Sequence, residues 1–418
     1  MSKIYSDGYI DRAFTDLKSY FLQASYTDDN TLIKALTFGG KEKTYQAWAG
    51  IDASQLAANR RQNPYTYENE VDDYQQDHYQ LHWIEKLNEN WSTNIGLNYT
   101  KGQGFFEQYK TDKNPSEYAG LVVATNNGKT DLIVRRWLDN KFYVANFNAT
   151  YKKTELEIIS GFSYSSYSNS HFGEVIWAKQ FAPTATIRNR YYESNSTKND
   201  FSMFSKAIFK ISNRMSLYAD LQYRNVLYTT NGLTSDRNPI NVDERFGFFN
   251  PKFGATYILN ENQHVYFSFA VANKEPNRND FENGITTPEN LNDYEFGWRL
   301  KNESVTLNTN VYYMLYKNQL VLTGAIDGVG APIRATSGKS YRLGLEIDAD
   351  IQLSDLFSLK PNIAFSDHKN TDFVSLIDGV LKKLGNTALS FSPAVIAGNA
   401  SRKSTRLHSS HITISYAV

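Results

Sequence analysis

The feature that most constrains this chain is an alternation of apolar and polar residues that returns along its whole length. In Trp91-Ser92-Thr93-Asn94-Ile95-Gly96-Leu97-Asn98-Tyr99-Thr100 the odd positions are apolar or aromatic apart from Thr93, and the even positions are small or polar. Successive side chains of a β-strand point to opposite faces, so this segment has one greasy face and one wet face. Met215, Leu217, Ala219, Leu221 and Tyr223 alternate in the same way with Ser216, Tyr218, Asp220, Gln222 and Arg224. Val265, Phe267, Phe269 and Val271 alternate with His264, Tyr266, Ser268 and Ala270. Further on, Tyr294, Phe296, Trp298 and Leu300 oppose Asp293, Glu295, Gly297 and Arg299, and Tyr341, Leu343, Leu345 and Ile347 oppose Arg342, Gly344, Glu346 and Asp348. The charges keep to one face.

The connections between these strands come in two sizes. Short ones, rich in Asn, Asp, Ser or Lys, fall at Thr27–Asn30, Asn88–Asn90, Lys152–Lys153, Ser212–Arg214, Asn260–Gln263, Asn302–Glu303 and Ser354–Asp355, and read as hairpin turns. Long ones alternate with them at about Gly40–Asp77, Lys101–Asn140, Ser165–Asp200, Asn225–Asn250, Asn273–Asn292, Lys317–Ser340 and Asp367–Asn386. A soluble sandwich has no reason for this asymmetry, whereas a transmembrane β-barrel has short turns at one rim and long loops at the other. The expected fold is therefore all-β: an antiparallel transmembrane β-barrel of about fourteen or fifteen strands, with short periplasmic turns and long extracellular loops. Trp83, Trp91, Tyr99, Tyr151, Tyr223, Tyr257, Trp298 and Tyr313 fall on the outer face, where aromatic girdles form.

Composition narrows the alternatives. With 44 Lys+Arg against 44 Asp+Glu in 418 residues, the chain has no net field to attract nucleic acid. Its 29 Tyr, 25 Phe and 6 Trp are too many for a disordered chain. No run of about 18 apolar residues is present, which excludes helical membrane spans. A mean hydropathy of −0.53 leaves the barrel open, because half of a barrel's residues avoid lipid. The absence of cysteine excludes disulfides and thiolate-bound zinc.

Motifs for chemistry fail one by one. His78 and His82 have the spacing of a zinc helix, with Asp77 beside them, but on a strand four residues separate the imidazoles by about 13 Å. Asn127-Gly128-Lys129-Thr130 ends like a phosphate loop, yet Val123 stands where the first glycine belongs. Gly102-Gln103-Gly104 reads as a loop turn rather than a dinucleotide fingerprint. The acidic run Glu68, Glu70, Asp72, Asp73 and Asp77 reads as solvated surface in preference to a calcium site. No catalytic set, metal site or cofactor is expected, and the sequence points away from an enzyme.

Four stretches together resemble one family. They are Asn273-Lys274-Glu275-Pro276-Asn277-Arg278-Asn279-Asp280-Phe281, Pro288-Glu289-Asn290-Leu291-Asn292-Asp293-Tyr294-Glu295-Phe296-Gly297-Trp298, Tyr312-Tyr313-Met314-Leu315-Tyr316-Lys317-Asn318-Gln319-Leu320-Val321 and Ser340-Tyr341-Arg342-Leu343-Gly344-Leu345-Glu346-Ile347. In order, they are similar to consecutive barrel strands of TonB-dependent outer-membrane receptors, and the resemblance runs from about Lys3 to Ala400. It implies a 22-stranded barrel plugged by an N-terminal domain. It also implies uptake of a scarce solute, such as a ferric siderophore or other iron complex, cobalamin or an oligosaccharide, driven by a TonB-type energy-transducing inner-membrane complex. The location it implies is the outer membrane of a Gram-negative cell, with the lipid bilayer as a partner.

Against that pattern, signal peptide, TonB box, plug and about eight strands have no counterpart here. The expectation is a partial barrel over residues 1–400, with open edges that keep it from functioning alone. Residues 401–418 read like a translated sequencing adapter. Asp293, Glu295, Arg299, Arg342, Glu346 and Asp348 are the expected lumen-facing wall. Tyr45, Trp48, Tyr65, Tyr67, Phe105, Phe106, Tyr109, Tyr191, Tyr192 and Phe248 are loop aromatics available to stack on a solute, and none is singled out as a ligand-binding residue. A passive plugless pore is the alternative function; a barrel-embedded hydrolase and a soluble β-repeat binder find no supporting spacing.

Overall fold

The computed structural model describes residues 1–388 except 126, 327–331, 373, 378–379 and 384–386. The tail at 401–418 and part of the connection at 367–386 lie outside the described residues. In chain order the elements are β1 (Ser2–Ser6), β2 (Thr15–Thr27), β3 (Thr31–Tyr45), helix α1 (Ala53–Ala58), β4 (Val71–Lys86), β5 (Trp91–Lys113), β6 (Thr130–Lys152), β7 (Leu156–Ala178), β8 (Arg190–Lys210), β9 (Met215–Leu233) and β10 (Pro239–Asn260). Then come β11 (Gln263–Lys274), helix α2 (Arg278–Glu282), β12 (Glu289–Lys301), β13 (Val305–Lys317), β14 (Leu320–Ile326), β15 (Pro332–Thr336), β16 (Lys339–Ser354), β17 (Phe357–Leu359), β18 (Asn362–Asn370) and three short strands from Val374 to Ala388.

Two compact units emerge: Met1–Ser205 with Gln222–Phe248, and Lys206–Leu221 with Phe249 onward. In the first, β1 to β7 pair antiparallel, each with the next in sequence. In the second, β10 to β13 do the same, and β16 follows β13 with β18 beside it. The β14–β15 hairpin is therefore an insertion between paired neighbours.

The short turns fall at the positions the sequence marks, and one device recurs in them. Asp28 Oδ1 accepts from the backbone N–H of Asn30 and Thr31 (2.9 and 2.8 Å), Asn88 Oδ1 from Asn90 and Trp91 (2.9 and 3.0 Å), and Asn302 Oδ1 from Ser304 and Val305 (3.0 and 2.8 Å). Ser212 Oγ does the same for Arg214 and Met215. A short side chain that satisfies two backbone donors lets the chain reverse within two or three residues.

Register sets apolar side chains in rows across the strands. In the first unit Trp83, Ile95, Phe147 and Phe162 lie opposite one another in turn, then Leu81, Leu97, Ala145 and Tyr164, then Tyr79, Tyr99 and Tyr143. Most of these large side chains are exposed, and the Tyr99 ring stacks on Tyr79 at 6.0 Å and on Tyr143 at 4.7 Å. A similar band in the second unit joins Phe267 to Phe296 and Val311, and Phe269 to Tyr294 and Tyr313. An exposed band of large apolar side chains is stable only against a non-aqueous neighbour. From Trp91 to Tyr99 it spans about nine residues, the length a tilted strand needs to cross a bilayer.

Beyond this band the structure departs from the sequence reading. Lys101–Asn140 and Ser165–Asp200 read as loops, yet β5, β6 and β7 are each 23 residues long, and β8 begins at Arg190. At about 3.3 Å per residue, such a strand is some 75 Å long and overhangs the apolar band by more than half. The real connections are 46–70, 114–129, 179–189 and 234–238 in the first unit. Alternation disappears past Tyr99 because both faces then meet water or loop, so the ladder persists without its sequence signature. Tyr45, Phe105, Phe106, Tyr109, Tyr191, Tyr192 and Phe248 accordingly stand on strands, not loops. Gly102 and Gly104 are strand residues as well. The Tyr74 ring lies across them, and a Cβ at Gly104 would sit 2.6 Å from the Tyr74 Cα.

Candidate functional site

On the polar face of the second unit, register gathers the charged residues in rows. Arg299, Asn308 and Asp348 lie opposite one another in turn, as do Gly297, Asn310 and Glu346, then Glu295, Tyr312 and Gly344, then Asp293, Met314 and Arg342. All six charged residues picked from the sequence thus share one face, opposite the band of Phe296 and Tyr313. Asn308 Nδ2 donates to Asp348 Oδ2 at 2.8 Å, and the guanidiniums of Arg299 and Arg342 lie over the rings of Tyr266 and Tyr316 at 5.0 and 5.2 Å. Beside this face, the β14–β15 hairpin is tied to helix α2. Arg334 reaches both carboxylate oxygens of Asp280, which is 1% exposed and also caps the helix by accepting from the Asn277 backbone at 2.8 Å.

In the first unit the overhang carries its own small core. The turn Pro115–Tyr118 and the chain after it fold onto β6, β7 and β8, burying Tyr118, Val122, Leu132, Val134, Val175, Tyr191 and Tyr192 together. The Tyr118 ring lies 5.0 Å from Tyr191. Next to this core Arg136 stands opposite Gly173, where a Cβ would come within 2.4 Å of both the Tyr191 and Tyr192 rings. Absence of that Cβ lets the Tyr191 hydroxyl lie 3.3 Å from Arg136 Nε. The Arg136 guanidinium also lies 5.7 Å from the Phe106 ring, which Trp48 approaches edge-on at 6.5 Å.

Lys110 belongs to the same face of β5 as Phe106. Burial, with the nearby charges of Arg136 and Lys113, pushes its ammonium down to about 8. Glu70 and Glu117 are the carboxylates whose charge it feels, and it makes no ion pair among the described residues. Glu70 accepts from the Tyr109 backbone at 3.1 Å and is itself pushed up by burial.

The ten aromatics named from the sequence therefore divide. Tyr45 and Tyr67 serve structure: the Tyr45 hydroxyl donates to the Tyr67 carbonyl at 2.5 Å, and the Tyr67 hydroxyl to Glu107 at 2.7 Å, so that burial and that carboxylate push Tyr67 up to about 12. Tyr109 donates to Asp131 at 3.1 Å and stacks near Trp177. Tyr65 offers its carbonyl to Arg12, and Phe248 packs on Phe246. Phe105 lies under Arg135 and against Trp137. Phe106 and Tyr191 lie against Arg136, with Tyr192 beside Tyr191 and Trp48 edge-on to Phe106. Sequence reasoning missed Arg136 and Lys110 themselves. The only local signal is the doublet Arg135-Arg136, whose two members point to opposite faces.

The motifs set aside for chemistry take structural roles. His78 stacks on Phe38 at 4.5 Å and shares a hydrogen bond of 2.9 Å with Thr100, while His82 lies 3.3 Å from Gln80. Of the acidic run, Asp77 is held by Tyr20 and Gln75, and Asp73 by Lys41 at 3.1 Å. Among the described residues no three His, Asp or Glu side chains gather as a metal site.

Comparison of the sequence with curated proteins finds no match. Solved structures do match in fold. The ferric-catecholate import receptor Fiu from E. coli K12, in its closed form, shares 14% identity and superposes with a TM-score of 0.63, over 93% of this chain and 62% of that one. The siderophore receptor PiuA from Acinetobacter baumannii gives 0.62 at 14% identity, over 91% and 61%. The copper transporter OprC gives 0.64 at 12% identity, over 88% and 56%. The chain thus spans roughly three-fifths of the length of these proteins. The family described as "TonB dependent receptor-like, beta-barrel" matches residues 7–400. On that match, with its nearly all-antiparallel strands, the chain belongs to the TonB-dependent receptor family and has that family's transmembrane β-barrel fold.

Proposed function

We propose that this chain forms barrel wall and external loops of an outer-membrane receptor for energy-coupled uptake of a scarce solute, in the first instance a ferric siderophore or other iron complex. The match to the family over residues 7–400 carries this reading. Structural neighbours named as a ferric-catecholate import receptor, a siderophore receptor and a copper transporter support it at the level of metal uptake. In this reading the face with Asp293, Glu295, Arg299, Arg342, Glu346 and Asp348 lines the lumen, where it meets a plug on which a TonB-type inner-membrane complex pulls. The apolar band faces lipid, the short turns face the periplasm, and the overhanging ladders with their connections form the mouth.

The test is accumulation of radiolabelled iron, supplied as a panel of ferric chelates, by cells of the source organism with and without the gene, in the presence and absence of a proton uncoupler. Gene-dependent accumulation that the uncoupler abolishes is expected. Gene-dependent entry that survives the uncoupler means a passive pore, and no gene dependence with any chelate removes metal uptake from consideration.

A further inference from the structure

Most of the apolar band is built of large side chains, but one row of it is not. In the first unit register sets Ala24, Ala35, Leu81, Leu97 and Ala145 opposite one another in turn. The row on one side of it is Tyr26, Ile33, Trp83, Ile95 and Phe147, and the row on the other side ends in Tyr79, Tyr99 and Tyr143. Three alanines between rows of rings leave a trough, and the surface there sinks into an almost wholly apolar groove of about 700 Å³. Strands of a membrane barrel tilt by about 45°, so a row that crosses them is inclined by about the same angle and a chain lying in it runs obliquely into the bilayer.

A second cavity, of about 370 Å³, opens on the same face where the groove ends. Asp77 precedes Tyr79 by two residues on β4, and Lys101 follows Tyr99 by two on β5. This cavity holds two cations, Lys41 and Lys101, and two carboxylates, Asp73 and Asp77, with the Trp137 ring as a wall. Lys41 pairs with Asp73 at 3.1 Å, and Asp77 accepts from the Tyr20 hydroxyl at 2.8 Å and from Gln75 at 2.9 Å. In register Lys101 has Asp77 on one side and Lys141 on the other, while Asp139 stands across from Gln103. Like charges directly opposite repel, so the Lys101 and Lys141 edge favours a negative group, and the carboxylates beside it favour a positive one.

We propose that the groove and this cavity together hold one molecule of a zwitterionic phospholipid. An acyl chain lies along Ala24, Ala35 and Ala145, and the head, a phosphate and an ammonium, sits among Lys41, Lys101, Asp73 and Asp77. Two observations choose this occupant. The groove is continuous with the face that a transmembrane barrel turns to lipid, and a head of either single sign would be repelled by half of the charges in the cavity. Among lipid tails the hydrophobic effect does not distinguish one apolar surface from another, so the chain is retained by close packing on several sides of the trough. The site does not depend on the uptake reading.

The experiment reconstitutes the full chain in vesicles of equal parts phosphatidylethanolamine and phosphatidylglycerol, releases it into mild detergent and counts retained lipids by native mass spectrometry. One phosphatidylethanolamine per chain is expected to outlast the rest, favoured over phosphatidylglycerol about tenfold. Ala145→Phe and Ala35→Phe each fill the trough with apolar bulk and should lower that occupancy about tenfold, and Lys101→Gln should lower it as well. Leu217→Phe, on the exposed apolar face of β9 and outside the groove, should leave it unchanged. If one of the alanine variants does not fold, the other decides. Loss of all lipids together, or retention indifferent to the alanine variants, overturns the proposal. Preferential retention of phosphatidylglycerol, or of lipid A when it replaces phosphatidylglycerol in the vesicles, means an anion site and overturns it too. No transport is measured, so failure of the uptake reading and failure of this site are separate results.

Discussion

The Tyr266 ring lies flat over Gly297 on the neighbouring strand, so closely that a Cβ at Gly297 would be 2.1 Å from the ring. Its hydroxyl reaches past the glycine to Asn310 Oδ1 at 3.1 Å on the strand after. Tyr312 covers Gly344 in the same way, with 2.4 Å to the position of a Cβ. Glycine weakens an isolated strand, and a ring laid over it restores the lost packing. Gly297→Ala must displace Tyr266 and break its hydrogen bond, and we expect it to cost about 1–3 kcal/mol. Gly96→Ala is the control, because its Cβ would meet nothing closer than 3.7 Å. Urea unfolding of the two variants in detergent checks this; equal midpoints would refute the interlock.

The apolar band makes a prediction about depth. Ile95 lies mid-band between Trp91 and Tyr99, while Gln103 lies on the same face of β5 beyond the band. Ile95→Arg should cost about 2–4 kcal/mol in a bilayer and Gln103→Arg about 0–1. Folding equilibria in lipid vesicles give both values, and similar costs at the two positions would place the bilayer elsewhere.

Asp280 and Arg334 hold a hairpin to a helix through a pair whose carboxylate is almost fully buried. Removing only the cation strands that charge, so Arg334→Met should loosen the connection by about 3–5 kcal/mol. Limited proteolysis within 275–338 should then speed up, and Asp280→Leu combined with Arg334→Met should recover part of the resistance. Unchanged cleavage in the single variant would show that the pair does not hold the hairpin.

At the short-turn end, Asn302→Ala removes two hydrogen bonds to backbone donors, with an expected cost of about 1–3 kcal/mol, while Asn302→Asp keeps both. Hydrogen exchange at Ser304 and Val305 measures it, and equal protection in both variants would count against the turn chemistry.

Lys110 gives a pH dependence whose sign can be worked out. Its value in the folded chain, about 8, lies below the ordinary 10.5, so folding releases a proton between those limits. Stability should rise with pH across that window as burial of a charge ceases to be penalised, and below about 8 the penalty is fully present. Unfolding midpoints of the natural chain and Lys110→Gln at the two ends of the window test this, which requires their difference to shrink at high pH.

What could be read in advance was local. Asn88 and Asn302 announce turns because each needs only the two or three residues that follow it. Leu97 and Tyr99 announce a strand because lipid on one side enforces the contrast with Asn98. Lys101-Gly102-Gln103-Gly104-Phe105-Phe106 continues the same strand without announcing it, since no solvent contrast separates its two faces and Tyr74 on the preceding strand supplies the packing. Arg136 and Lys110 were invisible for a different reason. Whether Arg136 is paired depends on Tyr191, 55 residues away, and on Gly173 across the ladder. Phe106 and Tyr191 were recognisable as aromatic, but their meeting at one guanidinium depends on the fold.

The length of the overhanging strands also governs what the charges they carry can sense. Lys110 stands eleven residues beyond Tyr99 on β5, about 35 Å along the strand and, at a tilt of about 45°, about 25 Å above the aromatic row. The Debye length at physiological ionic strength is about 8 Å, so roughly three screening lengths separate this cation from the bilayer surface. The overhang thus works as an electrostatic stand-off: changes in the charge of a surrounding bilayer leave the potential at Arg136 and Lys110 almost untouched, and that potential is set by the overhanging strands and their connections.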